Sequence, residues 1–159
     1  MTAHSKIVST LSELCENYPD YDSSEIHRGK ALPRDAQVPV GKSPLHLNYK
    51  PDLWVKRKPK DRPGARWDVY EVWDSESEAK AVYEILRVAY TPGVISYCIV
   101  CVKDSWTKKE AVRYIRAVLD NLKGPEITYD ESVSVAEVDE TDLSDQRRLR
   151  RTLARQLQF

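Results

Sequence analysis

The sequence has little of what marks several common protein classes. Its 159 residues include three cysteines and five glycines, and the glycines do not cluster. A disulfide scaffold needs more cysteines, and a phosphate-binding loop needs clustered glycines. No apolar run approaches the roughly 18 residues of a membrane span, and the N-terminus lacks the compact apolar stretch of a signal peptide. We therefore expect a cytoplasmic protein with reduced thiols and no membrane partner.

The sequence also lacks net charge, because 25 Lys and Arg residues balance 25 Asp and Glu residues. The charges are nevertheless segregated along the chain. Residues 125–145 contain eight acids and no base, and five arginines follow within 147–155. Such blocks are often solvated surface, but a basic block at a hairpin tip would contact phosphate groups. One such block has seven basic residues: Lys50, Lys56, Arg57, Lys58, Lys60, Arg62 and Arg66.

Hydrophobic periodicity predicts one α/β domain, in which a mixed sheet is flanked by helices. The proline- and glycine-rich stretch 19–44 is predicted to be a long connection that could include a short element at residues 25–30. The domain is expected to span 1–138, and 139–159 to form a separable acidic-then-basic arm that ends in a helix. Helices are expected at 5–18, 75–90 and 107–122, and strands at 45–57, 67–74, 94–102 and 127–138.

Two of these helices carry sequence signals for their first turns. Ser75 with Glu78, and Thr107 with Glu110, both match the capping box. The buried face of the helix at 75–90 is predicted to hold Ala79, Val82, Tyr83, Leu86 and Ala89.

Two acidic residues lie where a divalent cation would bind. Asp52 lies in the first predicted strand, and Glu71 lies in the next, after a turn that brings the strands together. Antiparallel pairing places such side chains close to each other. Among the apolar neighbours of Glu71, a carboxylate is costly unless it is protonated, paired or bound to a cation. Two carboxylates suit Mg²⁺ or Mn²⁺. The alternative is ordinary ion pairing: Asp52 with Lys50 or Arg66, and Glu71 with Lys80 or Arg87.

A Pro-Asp pair that ends at Asp52 is followed by Glu71-Val72-Trp73, a helix, an apolar strand and another helix. In the order of these motifs and elements, the chain resembles the PD-(D/E)XK nuclease superfamily. That superfamily includes restriction endonuclease-like and Holliday-junction resolvase-like enzymes and has an αβββαβ core. The resemblance covers roughly residues 5–122 and rests mainly on the order of the elements. It implies a restriction-endonuclease-like fold in which Asp52 and Glu71 ligate Mg²⁺ or Mn²⁺. An acid of the first helix, Glu13 or Glu16, contributes in many members.

The sequence departs from the superfamily pattern at one position. The lysine two residues after the second acid, which helps to orient or deprotonate the attacking water, is replaced by Trp73. Loss of a proton-handling group typically costs on the order of 10²–10⁴ in rate. In some members this lysine lies in the following helix, which makes Lys80 the candidate here and Lys50 a poorer one. The chain would then be an active variant or a nuclease fold kept for binding.

The resemblance implies hydrolysis of phosphodiester bonds in nucleic acid, with DNA the expected form. A metal held by the two acids would lower the pKa of a bound water and neutralise charge on the phosphate. The basic block at 50–66 would hold the nucleic-acid backbone without reading its sequence. Trp54, Trp67 or Trp73 would stack on an unpaired base; the alternative is that they pack in the core.

A non-catalytic α/β module that binds a protein partner or forms a homodimer is the alternative from another functional class. Its interface would be the C-terminal helix, in which Leu149, Leu153 and Leu157 recur every four residues among arginines. The same helix could instead lie along DNA.

Overall fold

The computed structural model of the chain describes residues 1–33, 50–59 and 66–159. They form a five-stranded mixed sheet with helices against both faces, which confirms the predicted α/β class. Within these ranges, none of the helices combines the length and apolar content needed to cross a bilayer. The elements, in chain order, are α1 (Ala3–Glu16), β1 (Tyr21–Arg28), β2 (Leu53–Arg57), β3 (Trp67–Trp73), α2 (Glu78–Ala89), β4 (Val94–Val102), α3 (Lys108–Asp120), α4 (Tyr129–Ser132), β5 (Val133–Val138), α5 (Glu140–Ser144) and α6 (Gln146–Leu157).

The strands follow one another across the sheet in chain order. β2 is antiparallel to both of its neighbours, β1 and β3, whereas the β3–β4 and β4–β5 pairs are parallel. Parallel neighbours need a crossover connection, and α2 and α3 lie in these two crossovers. β4 has the predicted bounds and lies between two strands, as its continuous apolar sequence predicts.

The helices form two layers, one on each face of the sheet. α2 and α3 pack on the face that carries Val69 and Trp73 of β3. α1 and α6 pack on the face that carries Tyr70 and Val72. Because side chains alternate between the faces of a strand, Glu71 belongs to the α2–α3 face. All seven residues of β3 are buried.

Two strands differ from the sequence prediction. β1 (Tyr21–Arg28) lies inside the stretch 19–44 and is longer than the short element that could be expected there at residues 25–30. Most of its residues are partly or fully exposed, so it lacks the apolar alternation that reveals a half-buried strand. β2 begins at Leu53, later than expected; the predicted residues 45–49 lie outside the described ranges, as do Lys60 and Arg62 of the basic block.

The helix α2 also differs from its prediction. Ser77, and not Ser75, caps it, with its Oγ accepting from the backbone N–H of Lys80 at 3.2 Å. Tyr83, assigned to the buried face, is 43% exposed. The residues that are buried are Ala81, Ile85, Val88 and Ala89. By contrast, Thr107 and Glu110 form the predicted capping box of α3.

A buried polar network joins the three antiparallel strands. Arg57 donates from Nε and Nη2 to the two carboxylate oxygens of Asp68, at 2.9 Å each. The Tyr21 hydroxyl also bonds to Asp68 and lies 2.7 Å from the Tyr70 hydroxyl. Since the Asp68 side chain is only 2% exposed, these partners and not water stabilise its ionised form.

The segment 139–159 packs on the domain and is not a separable arm. Leu149 and Leu153 of α6 are fully buried in the same core as α1, and Leu157 is half-buried against it. The Lys6 ammonium donates to the carbonyl of Leu143 at 3.2 Å. The chain's own core thus covers the leucines that were expected to face a second subunit or DNA.

Replacing Leu153 by alanine is expected to lower the free energy of unfolding by about 2–5 kcal/mol, because it leaves a cavity in the core. Urea denaturation measures this loss. Leu157→Ala is the matched control, and the smaller burial of Leu157 predicts a smaller loss. Equal small losses in both variants would contradict the packing of α6.

Candidate active site

The predicted acid pair lies where β2 begins and β3 ends. The last backbone pair of these strands is Leu53–Tyr70, so one further antiparallel step sets Asp52 opposite Glu71. Residues directly opposite each other project from the same face of a sheet. The backbone therefore brings the two predicted acids to the same end of the sheet.

The Asp52 carboxylate closes this end of the hairpin. Its Oδ2 accepts from the backbone N–H of Val72 at 2.8 Å. Its Oδ1 lies 3.0 Å from Nε2 of His4, at the start of α1. The Asp52 side chain is 25% exposed, so it is reachable from solvent. Its partners are thus His4 and a backbone amide, not the expected Lys50 or Arg66.

Glu71 lies deeper, with 3% of its surface exposed. Close to it, the fully buried Tyr97 hydroxyl of β4 has no hydrogen-bond partner among the described residues. Burial raises the pKa of this phenol well above its ordinary value. Four carboxylates raise it further, in the order Glu71, Glu84, Asp52 and Glu76. Acids from β3, α2 and the loops before β2 and α2 thus each act on the pKa of one buried hydroxyl.

Glu84 is an acid that the sequence analysis missed. It receives a hydrogen bond from Nε1 of Trp73 at 2.9 Å. Burial raises the pKa of its carboxyl to about 7; the nearby charge of Glu76 adds to the rise, and the Trp73 N–H opposes it. Spacing could have revealed Glu84, because Ala81, Glu84, Ile85 and Val88 form one helical stripe. The stripe chosen from the sequence was equally apolar.

Lys80 lies beside this acidic group. Its ammonium is 2.9 Å from Oε2 of Glu76 and is 61% exposed. The hydrogen bond with Glu76 raises the pKa of Lys80, and the charges of Glu84 and Asp52 act in the same direction. Lys80 is therefore a cation at neutral pH. It is suited to contact an anion and not to accept a proton.

The first-helix acid Glu13 does not join this group. It lies on α1, on the opposite face of the sheet from Glu71, and its Oε2 is 3.2 Å from Nη1 of Arg150. Among the described residues, no three His, Cys, Asp or Glu side chains are arranged to share a metal ion.

The described members of the basic block have different surroundings. Lys50 and Lys58 are exposed, and Arg66 is half-buried. The Lys56 ammonium lies 5.7 Å from the centre of the Trp67 ring. Arg57 is held by Asp68, as described above. The tryptophans Trp54, Trp67 and Trp73 are at most 3% exposed, as the packing alternative predicts.

Comparison with known proteins adds no assignment. No protein-family model matches the chain, and a search of curated proteins finds no similar sequence. The resemblance noted above is therefore a hypothesis that depends on element order and on this acidic group.

The raised pKa of Glu84 predicts a pH dependence of stability. The ordinary value is 4.5 and the folded value about 7, so the folded protein binds the additional proton between these pH values. Stability should therefore fall as pH rises through this window, by up to about 3 kcal/mol. Glu84→Gln keeps an acceptor for Trp73 and cannot ionise, so its stability relative to wild type should increase over the same window.

Urea unfolding of both proteins from pH 4.5 to 8 tests this prediction. Glu78→Gln, which removes an exposed carboxylate of the same helix, is the control and should show no such trend. A constant difference between wild type and Glu84→Gln would contradict the assignment.

Proposed function

We propose that this chain is a divalent-metal-dependent nuclease of the PD-(D/E)XK type, with Asp52 and Glu71 as metal ligands. The observation that carries the proposal is the antiparallel pairing of β2 and β3, which sets Asp52 opposite Glu71 on one face of the sheet. Among the described residues, Lys80 is the cation beside these acids, and its ammonium is paired with Glu76. A cation bound between Asp52 and Glu71 would offset the repulsion between their charges.

The order of elements supports the same proposal. From α1 to β4 the chain runs α, β, β, β, α, β, which is the order of the αβββαβ core. The first of the three consecutive strands, β1, was not among the strands predicted from the sequence. Asp52 precedes the second strand, Glu71 lies in the third, and Lys80 lies on the helix that follows.

The residues present fit Mg²⁺ or Mn²⁺. Mg²⁺ usually keeps several waters and is bound by one or two carboxylates together with substrate phosphates, so two protein ligands suffice. Each carboxylate oxygen has two lone pairs; Asp52 can therefore bind a cation while Oδ2 still accepts from Val72. A bound ion would lower the pKa of a coordinated water and neutralise charge on the phosphate.

The chain's own residues would supply charge and position. The Lys80 ammonium would contact the scissile phosphate, and Glu84, with a pKa of about 7, would exchange a proton near neutral pH. The indole N–H of Trp73, at the position of the superfamily lysine, holds Glu84 in place. The exposed Lys50 and Lys58 would contact the nucleic-acid backbone, with DNA the expected form.

A nuclease fold kept only for binding nucleic acid is the second candidate. The contact between His4 and Asp52 favours it, because an oxygen of the proposed ligand already lies 3.0 Å from an imidazole nitrogen. A cation would have to displace this histidine or share the oxygen with it. The two candidates differ in whether cleavage occurs at all.

Asp52→Asn and Glu71→Gln are each expected to abolish Mg²⁺- or Mn²⁺-dependent cleavage, because each removes a charged ligand without changing size. Glu13→Gln is the matched control: it removes the same charge from the opposite face and should cleave like wild type. Cleavage of single-stranded and duplex DNA and RNA is followed on gels, with thermal melting to verify folding. Cleavage that survives both site variants would refute the assignment.

Lys80→Ala is expected to slow cleavage on the order of 10²–10³, the range for loss of one group that stabilises charge in the transition state. Lys109→Ala, which removes an exposed lysine from the first turn of α3, is the control and should leave the rate near that of wild type. Single-turnover rates measure both. Equal rates for the two variants would exclude Lys80 from the reaction.

A further inference from the structure

A cavity of about 280 Å³ lies on the outer side of α6, away from the acidic group. Its lining residues are Arg148, Arg151, Thr152 and Arg155. These positions are three, four and seven residues apart, so they share one face of the helix. The opposite face carries Leu149 and Leu153, which pack in the core. The core thus holds α6 in an orientation that sets three guanidinium groups around one concavity.

One of these arginines is held in position by a buried acid. Nε of Arg148 donates to Oδ1 of Asp142 at 3.0 Å, and the hydroxyl of Thr152 donates to the same oxygen at 2.9 Å. The Asp142 side chain is only 8% exposed. Because this contact uses Nε alone, the two terminal NH₂ groups of Arg148, with four of its five N–H donors, are left for another acceptor.

The other two arginines are exposed, and neither forms an ion pair with a residue in the described part of the chain. Their neighbour Arg150 differs, because it is paired with Glu13. Arg147 is exposed but does not line the cavity. The cavity therefore concentrates positive charge that the described residues only partly neutralise, through Asp142.

We propose that this cavity binds the phosphodiester backbone of a nucleic acid. Guanidinium groups match phosphate oxygens with two parallel hydrogen bonds. Arg148 and Arg155 are separated by about 10.5 Å of helix rise, so their side chains can reach different phosphates of one strand. The choice of ligand rests on the nuclease proposal, which this second contact surface extends. Since the contacts go to phosphates, the site does not read sequence.

Binding without catalysis tests the proposal. Labelled single-stranded and duplex oligonucleotides are titrated with the full chain in EDTA, at several salt concentrations. Arg151→Gln/Arg155→Gln is expected to weaken binding by about tenfold or more and to reduce the salt slope for duplex by nearly two, at about 0.9 per lost phosphate contact. Arg113→Gln/Arg147→Gln removes the same charge from exposed positions outside the cavity and should stay near wild type.

Two outcomes would overturn the proposal: equal weakening in both double variants, or no weakening in either. Competition by polyglutamate as strong as that by an unlabelled oligonucleotide would also overturn it, because the site would then accept any polyanion. The assay separates this inference from the proposed activity. Binding that depends on the cavity, with no cleavage when metal is added, would refute the nuclease alone. Cleavage that persists without such binding would refute the cavity alone.

Discussion

The hydrogen bond from the Val72 amide to the Asp52 carboxylate is the contact on which the candidate site depends. It holds a charged oxygen against the backbone of the strand that carries Glu71. The backbone pairing of β2 and β3 ends one residue earlier, at Leu53, so the side chain of Asp52 continues the contact between the two strands. This hydrogen bond therefore fixes the Asp52 carboxylate beside the strand that carries Glu71.

Buried ionisable groups on the two faces of the sheet have different partners. On the α1–α6 face, burial raises the pKa of Asp68, but Arg57 and the hydroxyl of Tyr21 oppose this rise and join the strands. On the α2–α3 face, the carboxyl of Glu84 has its pKa raised to about 7, and the Tyr97 hydroxyl has no hydrogen-bond partner within residues 1–33, 50–59 and 66–159. Ionisable groups shifted in this way by burial and by like charge often mark functional sites.

Much of the fold could be predicted from local sequence patterns, and the parts that could not have physical causes. β4 and α3 have strong signals, an unbroken apolar run and a capping box. β1 has none, because an edge strand with exposed residues buries too little to show periodicity. α2 has two apolar stripes of similar quality, and only packing decides which faces the sheet. Because the other stripe was chosen, Glu84 was not identified as a site residue. The burial of Leu149 and Leu153 depends on where α6 packs, which the local sequence does not determine.

The sequence predicts that Asp52 and Glu71 lie near each other, but it does not predict which other side chains surround them. The spacing of Asp52 and Glu71 around a turn is a local signal, because a hairpin pairs neighbouring strands. His4 and Tyr97 reach the site from elements distant in sequence, so no local pattern could place them there.

The most direct test of the central claim is to count bound Mn²⁺ by electron paramagnetic resonance, in the absence of nucleic acid. The account predicts that the wild-type chain binds one Mn²⁺ and that Glu71→Gln loses this binding, whereas Glu13→Gln keeps it. A wild-type chain that binds no Mn²⁺, or binds it as well after Glu71→Gln, would contradict the account.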